Sequence, residues 1–321
     1  MAAANDDGAG LGRRLREGDL SAAPPALNLI EDRSPPGREQ TAALLKEVSP
    51  GALGGEAGAH LVGITGPPGA GKSSLLSVLI GEWRADGRSV AVLAVDPSSK
   101  RSGGSLLGDR ARIEHDPRDR AVLIRSTAAG GRLGGLAVPT REAVAALAPA
   151  FDMVVIETVG VGQSETDVEE VCDTVAVVVQ PGSGDTLQFI KAGIMEVPDV
   201  LVVTKSDLGE VAERARRDLT VALASLGSRD VPVVATSSAP PSQNISKLVE
   251  AIDSHRRSLD LAAARTRARR MSALAELVAE HGESALRELG GRRAAERLLA
   301  QSPPGASAPE LAALLRSEAG R

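Results

Sequence analysis

The sequence has 321 residues, a formal net charge of -5, and only two Phe, one Trp and no Tyr. This length allows one large domain or two ordinary ones, and the charge excludes a general attraction to nucleic acid or to an anionic membrane. A core with so few aromatic residues must consist of Val, Leu, Ile and Ala, which suits an α/β protein whose strands are covered on both faces. The single cysteine excludes an internal disulfide framework and indicates a reducing, cytoplasmic location.

Residues 1–58 are predicted to form a disordered lead and a helical N-terminal extension. The first residues, MAAANDDGAGLG, are acidic and lack a hydrophobic signal segment, so they predict a disordered lead and no export. Pro24 and Pro25 are expected to interrupt the first candidate helix. No apolar run approaches the roughly 20 residues that a membrane span needs, so no membrane partner is predicted.

Residues 59–253 contain seven short apolar, β-branched runs, and helical stretches separate most of them. The runs are LVGIT, SVAVLAVD, AVLIRST, FDMVVIET, TVAVVVQ, VLVVTKSD and VPVVATSS. This alternation is typical of an α/β fold with a doubly wound, mainly parallel sheet. We therefore predict a single α/β domain over these residues.

Residues 254–321 show no further strand pattern and are rich in Ala, Leu and Arg. Apolar side chains recur there near helical spacing. They are Leu274, Leu277, Val278, Ala285 and Leu289. The pattern predicts a helical C-terminal arm.

The string GPPGAGKSSLL matches the P-loop pattern G-x-x-x-x-G-K-[ST] with Gly66, Gly71, Lys72 and Ser73. A predicted strand precedes it and a predicted helix follows it, as the pattern requires. Glycines allow backbone N–H groups to turn inward around phosphate oxygens at the positive end of the helix. Lys72 would neutralise the β and γ phosphates, and the Ser73 hydroxyl would bind Mg²⁺. The string therefore predicts a nucleoside triphosphate site.

A P-loop enzyme also needs an acidic residue near the metal, at the end of a neighbouring strand. Glu157 follows the apolar part of the run FDMVVIET and occupies that position, and the Gly160 amide is placed to sense the γ-phosphate. Asp96, which ends SVAVLAVD, and Asp109, in GGSLLGDR, are further candidates. Each of these last two residues is equally compatible with a solvated acid or a helix cap.

The run VLVVTKSD indicates which base is bound. Lys205 and Asp207 fit the guanine-recognition pattern [NT]-K-x-D, in which the carboxylate accepts two hydrogen bonds from guanine. Adenine offers no such pair and would leave a carboxylate unsatisfied. The Lys205 stem would pack over the base, and Thr204 keeps a hydroxyl where many GTPases carry Asn. Ser238 and Ala239, after the last strand, are suited to presenting a backbone N–H to the guanine carbonyl.

Six strings resemble the MeaB/ArgK family of P-loop GTPases, of the SIMIBI class, over residues 60–320. They are GPPGAGKSSL, AVDPSSKRSGGSLLGDRAR, IRSTAAGGRLGGL, IETVGVGQSE, PGSGDTLQFIKAGIMEVPD and TKSD. The resemblance implies a Mg²⁺-dependent GTPase that binds GTP and GDP. It also implies a chaperone that gates adenosylcobalamin loading and protection of a cobalamin-dependent acyl-CoA mutase, methylmalonyl-CoA mutase or a close relative. The adenosyltransferase of such a mutase would be a further partner, and nucleic acid would not be one.

The resemblance also implies roles for individual residues. Asp96, Asp109 and Glu157 become candidates for Mg²⁺ binding with Ser73, and for positioning the attacking water. The segments around Asp109, around residues 160–165 and around residues 182–191 would be switch loops, and the third of them carries Lys191. The C-terminal helices resemble a dimerisation arm, which implies a homodimer. The alternative is a helical cap that folds onto its own domain. The phosphate-binding residues would be Gly66, Pro67, Pro68, Gly69, Ala70, Gly71, Lys72, Ser73 and Ser74.

Two other functions remain open from the residues. A nickel-type metallochaperone GTPase would need Cys or His clusters, whereas His60, His115, His255, His281 and Cys172 lie far apart in the sequence. Alternatively, a kinase could use the same P-loop to phosphorylate a small molecule or a protein. A preference for ATP, or phosphate transfer to an acceptor other than water, would favour the kinase.

Overall fold

The computed structural model describes residues 7–96, 113–128, 136–158, 168–182, 198–225 and 230–319, without the side chains of Asp96, Ala128 and Ala279. Backbone contacts divide the chain into two compact units. A sheet unit contains residues 60–137 and 152–259. A helical unit contains residues 1–59, 138–151 and 260–321.

The sheet unit is built on seven strands. In chain order they are β1 (His60–Thr65), β2 (Val90–Asp96), β3 (Val122–Ala128), β4 (Met153–Thr158), β5 (Thr174–Val179), β6 (Val200–Val203) and β7 (Val233–Ala235). The spatial order is β3-β2-β4-β1-β5-β6-β7, and every pair is parallel. The predicted α/β fold with a doubly wound sheet is therefore confirmed, and all seven predicted runs are strands.

The described helices of four or more residues fall into both units. In chain order they are α1 (Gly8–Arg16), α2 (Ala23–Glu31), α3 (Pro35–Glu47), α4 (Pro50–Leu53), α5 (Lys72–Ala85), α6 (Val138–Leu147), α7 (Glu210–Ser225), α8 (Ile245–Ser258), α9 (Leu261–His281), α10 (Glu283–Glu288), α11 (Arg292–Ala300) and α12 (Ala308–Ala319). None of these helices is long and apolar enough to cross a membrane. Two short 3-10 helices cover Leu20–Ala22 and Ser206–Leu208.

The core of the sheet unit lies between the strands and the helices α5 and α8. All residues of β1, β4 and β5 are buried, as expected for parallel strands that are covered on both faces. Trp83 of α5 is fully buried in the same core, together with Leu248 and Ile252 of α8. Aliphatic side chains supply nearly all of the rest, so the packing agrees with the composition.

The helical unit has a core of its own. Leu274, Leu277 and Ala285 lie in it, and Val278 and Leu289 pack against it. The helical spacing in the sequence therefore identifies residues that are packed inside this unit. Leu299 of α11 and Leu311 and Leu315 of α12 complete the centre of the cluster.

Two details of the N-terminal region differ from the expectation. Helix α1 begins at Gly8, inside the string that predicts a disordered lead, and the Asp7 carboxylate caps it by accepting a hydrogen bond from Gly10 N at 2.7 Å. Pro24 and Pro25 lie in the first turn of α2 and do not interrupt it. Proline is tolerated at this position because the first N–H groups of a helix have no intrahelical partner.

The two units also differ from the three predicted segments. Helix α8 continues through the predicted boundary at residue 253, and the contacts place the division after Leu259. The first and last helices of the chain belong to one unit, which also includes residues 138–151 between β3 and β4.

Candidate functional site

The predicted nucleotide-binding residues follow strands of one parallel sheet. Because all strands are parallel, the segments after β1, β4, β5 and β6 emerge at the same edge, which we call the carboxyl edge. Open α/β sheets bind ligands outside the carboxyl ends of their strands. Strand β1 lies between β4 and β5, so the P-loop that follows β1 stands at the centre of this edge.

The P-loop connects β1 to α5, and its glycines are required by geometry. A Cβ atom on Gly66 would lie 2.0 Å from Val178 O of β5, so only glycine permits this approach of the two backbones. Gly71 has φ 91° and forms the left-handed N-cap of α5. The N-terminus of α5 therefore faces the loop with N–H groups that have no partner in the helix.

Lys72 is the first residue of α5, and its side chain turns back over the P-loop. The Nζ atom donates to Gly66 O at 2.6 Å and to Pro67 O at 3.0 Å. The residue is 7% exposed. These bonds hold the positive charge of Lys72 beside the N-terminus of α5. The helix dipole is also positive there, so both features favour binding of an anion.

Ser73 and Glu157 meet beside the P-loop. The Ser73 hydroxyl donates to Glu157 Oε1 at 2.8 Å, and Glu157 lies at the end of β4 with 8% exposure. A hydroxyl and a carboxylate are hard oxygen donors of the kind that Mg²⁺ prefers, and Mg²⁺ takes its remaining ligands from water and phosphate. The residues present therefore fit this ion.

Thr204 joins the TKSD string to the P-loop. Its Oγ1 lies 2.7 Å from Ala70 O and 3.1 Å from Val179 O, and the residue is buried. The hydroxyl has a single proton to donate, and the shorter distance favours Ala70 O. The threonine therefore reaches the P-loop although its side chain lacks the amide of asparagine.

Lys205 and Asp207 follow β6, and both residues are exposed to solvent. The Lys205 backbone is left-handed, with φ 56°, and its Nζ donates to Gln180 Oε1 at 2.5 Å. Asp207 Oδ1 accepts a hydrogen bond from the Ser237 hydroxyl at 2.6 Å. The second carboxylate oxygen of Asp207 has no hydrogen bond to another described residue.

Ser237 is a residue that sequence reasoning missed. It is 1% exposed, donates to Asp207, and accepts a hydrogen bond from Ala239 N at 3.2 Å. One serine thus fixes both the carboxylate and the loop after β7. The string VVATSSAPP contains the signal, since hydroxyl residues follow directly after the strand, but it does not say which serine turns inward.

The structure brings some of the predicted site residues together and leaves others undescribed. Lys72, Ser73, Glu157 and Thr204 surround the P-loop. Asp96 is the last residue of β2, and only its backbone is described. Three further candidates, Asp109, Gly160 and Lys191, lie outside the described residues.

A second polar cluster lies at the opposite, amino edge of the sheet. His60 begins β1, Thr174 begins β5, and His255 lies on α8. The Thr174 Oγ1 atom is 2.8 Å from His60 Nε2 and 2.9 Å from His255 Nδ1. Two of the histidines that are far apart in the sequence therefore meet in the fold.

The amino-edge cluster is largely buried. His60 is fully buried, and this burial lowers its pKa. Burial of the thiol also raises the pKa of Cys172 well above its usual value, which keeps this half-buried cysteine in the unreactive thiol form. Across the described part of the chain, no group of three or more His, Cys, Asp or Glu side chains could hold a metal ion.

Comparisons with known proteins agree with this architecture. The family model described as methylmalonyl-CoA mutase-associated GTPase MeaB matches residues 23–289. A putative GTPase from Pyrococcus abyssi is 42% identical over 255 residues, which are 77% of this chain and 75% of that protein. The mitochondrial methylmalonic aciduria type A homolog of Caenorhabditis elegans is 42% identical over 212 residues, 64% of this chain and 53% of that protein.

A solved structure described as an LAO/AO transport system kinase is similar over nearly the whole chain. It has a TM-score of 0.67 and 27% identity, and the match covers 93% of this chain and 91% of that one. Fold, P-loop and guanine-recognition pattern thus agree with the family match over most of the sequence. The chain belongs to the methylmalonyl-CoA mutase-associated GTPase MeaB family and is a P-loop GTPase.

Proposed function

We propose that this GTPase acts as a GTP-driven chaperone of a cobalamin-dependent acyl-CoA mutase, methylmalonyl-CoA mutase or a close relative. GTP binding and hydrolysis would gate the loading and protection of adenosylcobalamin on that enzyme. The family match over residues 23–289 supports the choice of partner. The name of the nematode relative refers to methylmalonic aciduria and supports the same partner class.

The proposal that the protein binds GTP rests on one observation: the P-loop and the segment after β6 are bonded to each other at the carboxyl edge of the sheet. Thr204 Oγ1 lies 2.7 Å from Ala70 O, so the segment that would read the base is bonded to the loop that would hold the phosphates. A guanine nucleotide bound to both segments would bridge them. Its affinity would then depend on their relative position, which the Thr204 bond fixes.

Residues 66–74 would hold the phosphates through their backbone N–H groups at the N-terminus of α5. Lys72 would exchange its bonds to Gly66 O and Pro67 O for bonds to the β and γ phosphates. Ser73 and Glu157 would hold Mg²⁺, which when bound neutralises charge on the phosphate oxygens. The 2.8 Å bond between these two side chains supports this pairing.

Asp207 would read the base. One of its oxygens is occupied by Ser237, which orients the carboxylate towards the ring N–H and the exocyclic amino group of guanine. The Lys205 stem would pack on the base, and a backbone N–H of Ser238 or Ala239 would bind the guanine carbonyl. Adenine would leave the oriented carboxylate unpaired, which opposes its binding.

Hydrolysis by the isolated protein would be slow. Val161 follows Gly160, where a water-orienting glutamine would be expected, and Gln163 comes two residues later. Asp96, Asp109, Glu157 and Lys191 are the proposed groups that order water and the γ-phosphate once a partner has arranged the switch segments. Gly160 would sense the γ-phosphate through its amide.

The partner class also suggests an assembly and a location. We propose a homodimer formed through the C-terminal helices, in contact with the mutase and with its adenosyltransferase. The single cysteine supports a reducing, cytoplasmic location.

The test is GTP turnover by the purified protein alone and with candidate cobalamin mutases. We expect at least about tenfold stimulation of kcat by the cognate mutase, since partner-supplied groups accelerate GTPases by larger factors still. The control variant is Asp207→Asn, whose side chain can donate to the 2-carbonyl of xanthine. The variant should lose turnover of GTP and gain turnover of XTP, with the same stimulation by the mutase.

Two outcomes would contradict the proposal separately. GTP turnover that no cobalamin mutase stimulates would argue against the chaperone role and leave the GTPase intact. An unchanged preference for GTP in Asp207→Asn would argue against the assigned base contact. Phosphate transfer to an acceptor other than water would favour the kinase alternative.

A further inference from the structure

Gln180 contacts the base-recognition segment from a neighbouring strand. It is the first residue after β5, and its Oε1 atom accepts a hydrogen bond from Lys205 Nζ at 2.5 Å. Lys205 itself is exposed and has a left-handed backbone, which is uncommon for a residue with a side chain. The ammonium group is therefore held by a residue from the neighbouring strand end.

The register of the sheet explains why these two residues meet. Val179 and Val203 are paired between β5 and β6, so Gln180 leaves the sheet beside Thr204. The Thr204 N–H continues this pairing by donating to Val179 O at 2.9 Å. The turn after Gln180 also lies close to α7, because a Cβ atom on Gly182 would be 3.8 Å from Val211 Cγ1.

A restrained lysine binds a flat ligand better than a free one. A lysine side chain loses rotamer freedom when it is fixed in one position, and this loss opposes binding. If Gln180 fixes the Lys205 side chain before the nucleotide arrives, that loss does not reduce the affinity for the nucleotide. An ammonium bonded to a neutral amide oxygen also keeps its full charge.

We infer that Gln180 is a positioning residue of the guanine site, which acts through Lys205 and does not touch the nucleotide. This inference rests on the proposed packing of the Lys205 stem over the base. It assigns a role to the first residue of the segment that follows β5. Gln180 would increase the affinity for the nucleotide, whereas Asp207 would select guanine over adenine.

The experiment measures the Kd of GDP and of IDP, which lacks the exocyclic amino group, for wild type and Gln180→Ala. We expect the variant to bind both nucleotides about fivefold more weakly, which is the usual effect of losing one hydrogen bond. The GDP-to-IDP affinity ratio should stay unchanged, because the lysine stem does not read the amino group. Gln180→Glu keeps the acceptor oxygen and should restore the affinity.

A double-mutant cycle with Lys205→Ala separates positioning from a general loss of structure. If Gln180 acts through Lys205, the double variant should bind GDP no more weakly than Lys205→Ala alone. Additive losses, or a Gln180→Ala affinity within twofold of wild type, would overturn the inference. Failure of the wild-type protein to bind GDP would instead contradict the proposed function.

Discussion

The two edges of the seven-stranded sheet both carry polar side chains, but they use them in opposite ways. At the amino edge, Thr174 bonds to His60 and His255, and His60 and Thr174 are fully buried. At the carboxyl edge, Lys205 and Asp207 are exposed. Polar groups that satisfy one another in the interior stabilise a fold, whereas polar groups directed to solvent can bind a ligand.

The difference extends to the charged groups. At the amino edge, Arg88 donates to both carboxylate oxygens of Asp253, at 2.9 and 2.7 Å. Burial alone would raise the Asp253 pKa, but the nearby Arg88 and His60 side chains outweigh burial and lower it. At the carboxyl edge, Lys72 donates to the backbone carbonyls of Gly66 and Pro67, and a phosphate can replace these neutral partners. We therefore expect substitutions at the carboxyl edge to affect GTP turnover and substitutions at the amino edge to affect the free energy of unfolding.

The largest effect is expected for Lys72→Ala at the carboxyl edge. The variant should lose about 1,000-fold in kcat/KM for GTP, because it removes a charged donor from the reacting phosphates. Its free energy of unfolding should change far less, by about 1 kcal/mol, which is the usual effect of removing one hydrogen-bonding side chain. Steady-state kinetics and urea denaturation measure the two quantities.

Lys247→Ala is a matched control, because Lys247 is an exposed lysine on α8 of the same unit. Lys247→Ala should change neither kcat/KM for GTP nor the free energy of unfolding. A Lys72→Ala protein with normal turnover, or one that is unfolded, would break the contrast between the two edges.

A smaller effect of the opposite kind is expected for His60→Leu at the amino edge. The substitution removes the partner of Thr174 on β1, and it should lower the free energy of unfolding by about 1–3 kcal/mol. At a temperature where the variant is folded, kcat/KM for GTP should equal that of wild type. A loss of GTP turnover without a loss of stability would contradict the assignment of this edge to structure.

The smallest effect is a pH dependence of stability due to His60. Burial lowers its pKa below the ordinary value of 6.5, so the folded state keeps this histidine neutral while the unfolded state takes up a proton. The neighbouring Asp173 and Asp253 oppose this shift, and Arg256 adds to it. Stability should therefore fall as the pH decreases below about 6.5, the unfolded pKa.

The measurement compares urea midpoints of wild type and His60→Leu at pH 7.5 and pH 5.5. Leucine binds no proton, so the stability advantage of wild type should narrow at the lower pH. A gap that widens on acidification would show that His60 is protonated in the folded state.

Much of this architecture follows from local sequence patterns. The seven strands are apolar, β-branched runs, and the P-loop is a string whose glycines are required by backbone geometry at Gly66 and Gly71. The string TKSD lies directly after β6, where its side chains reach the carboxyl edge. Such features depend on residues that are close in sequence, so they can be read without the fold.

Other features were misjudged because context changes the meaning of a residue. Pro24 and Pro25 predict an interruption of a helix, but in the first turn of α2 they are tolerated. The acidic start predicts disorder, whereas Asp7 serves as the N-cap of α1. In both cases the position relative to the helix start decides the effect, and the sequence does not reveal that position.

By itself, the sequence determined the strands, the phosphate loop and the guanine-recognition pattern of this GTPase, because each depends on spacing along a short piece of chain. The tertiary structure alone decided the pairs Ser237–Asp207 and Gln180–Lys205 and the group of His60, Thr174 and His255. The bonded members of these groups are 25 or more residues apart. Their contacts depend on strand order and register, which place distant residues at one edge of the sheet.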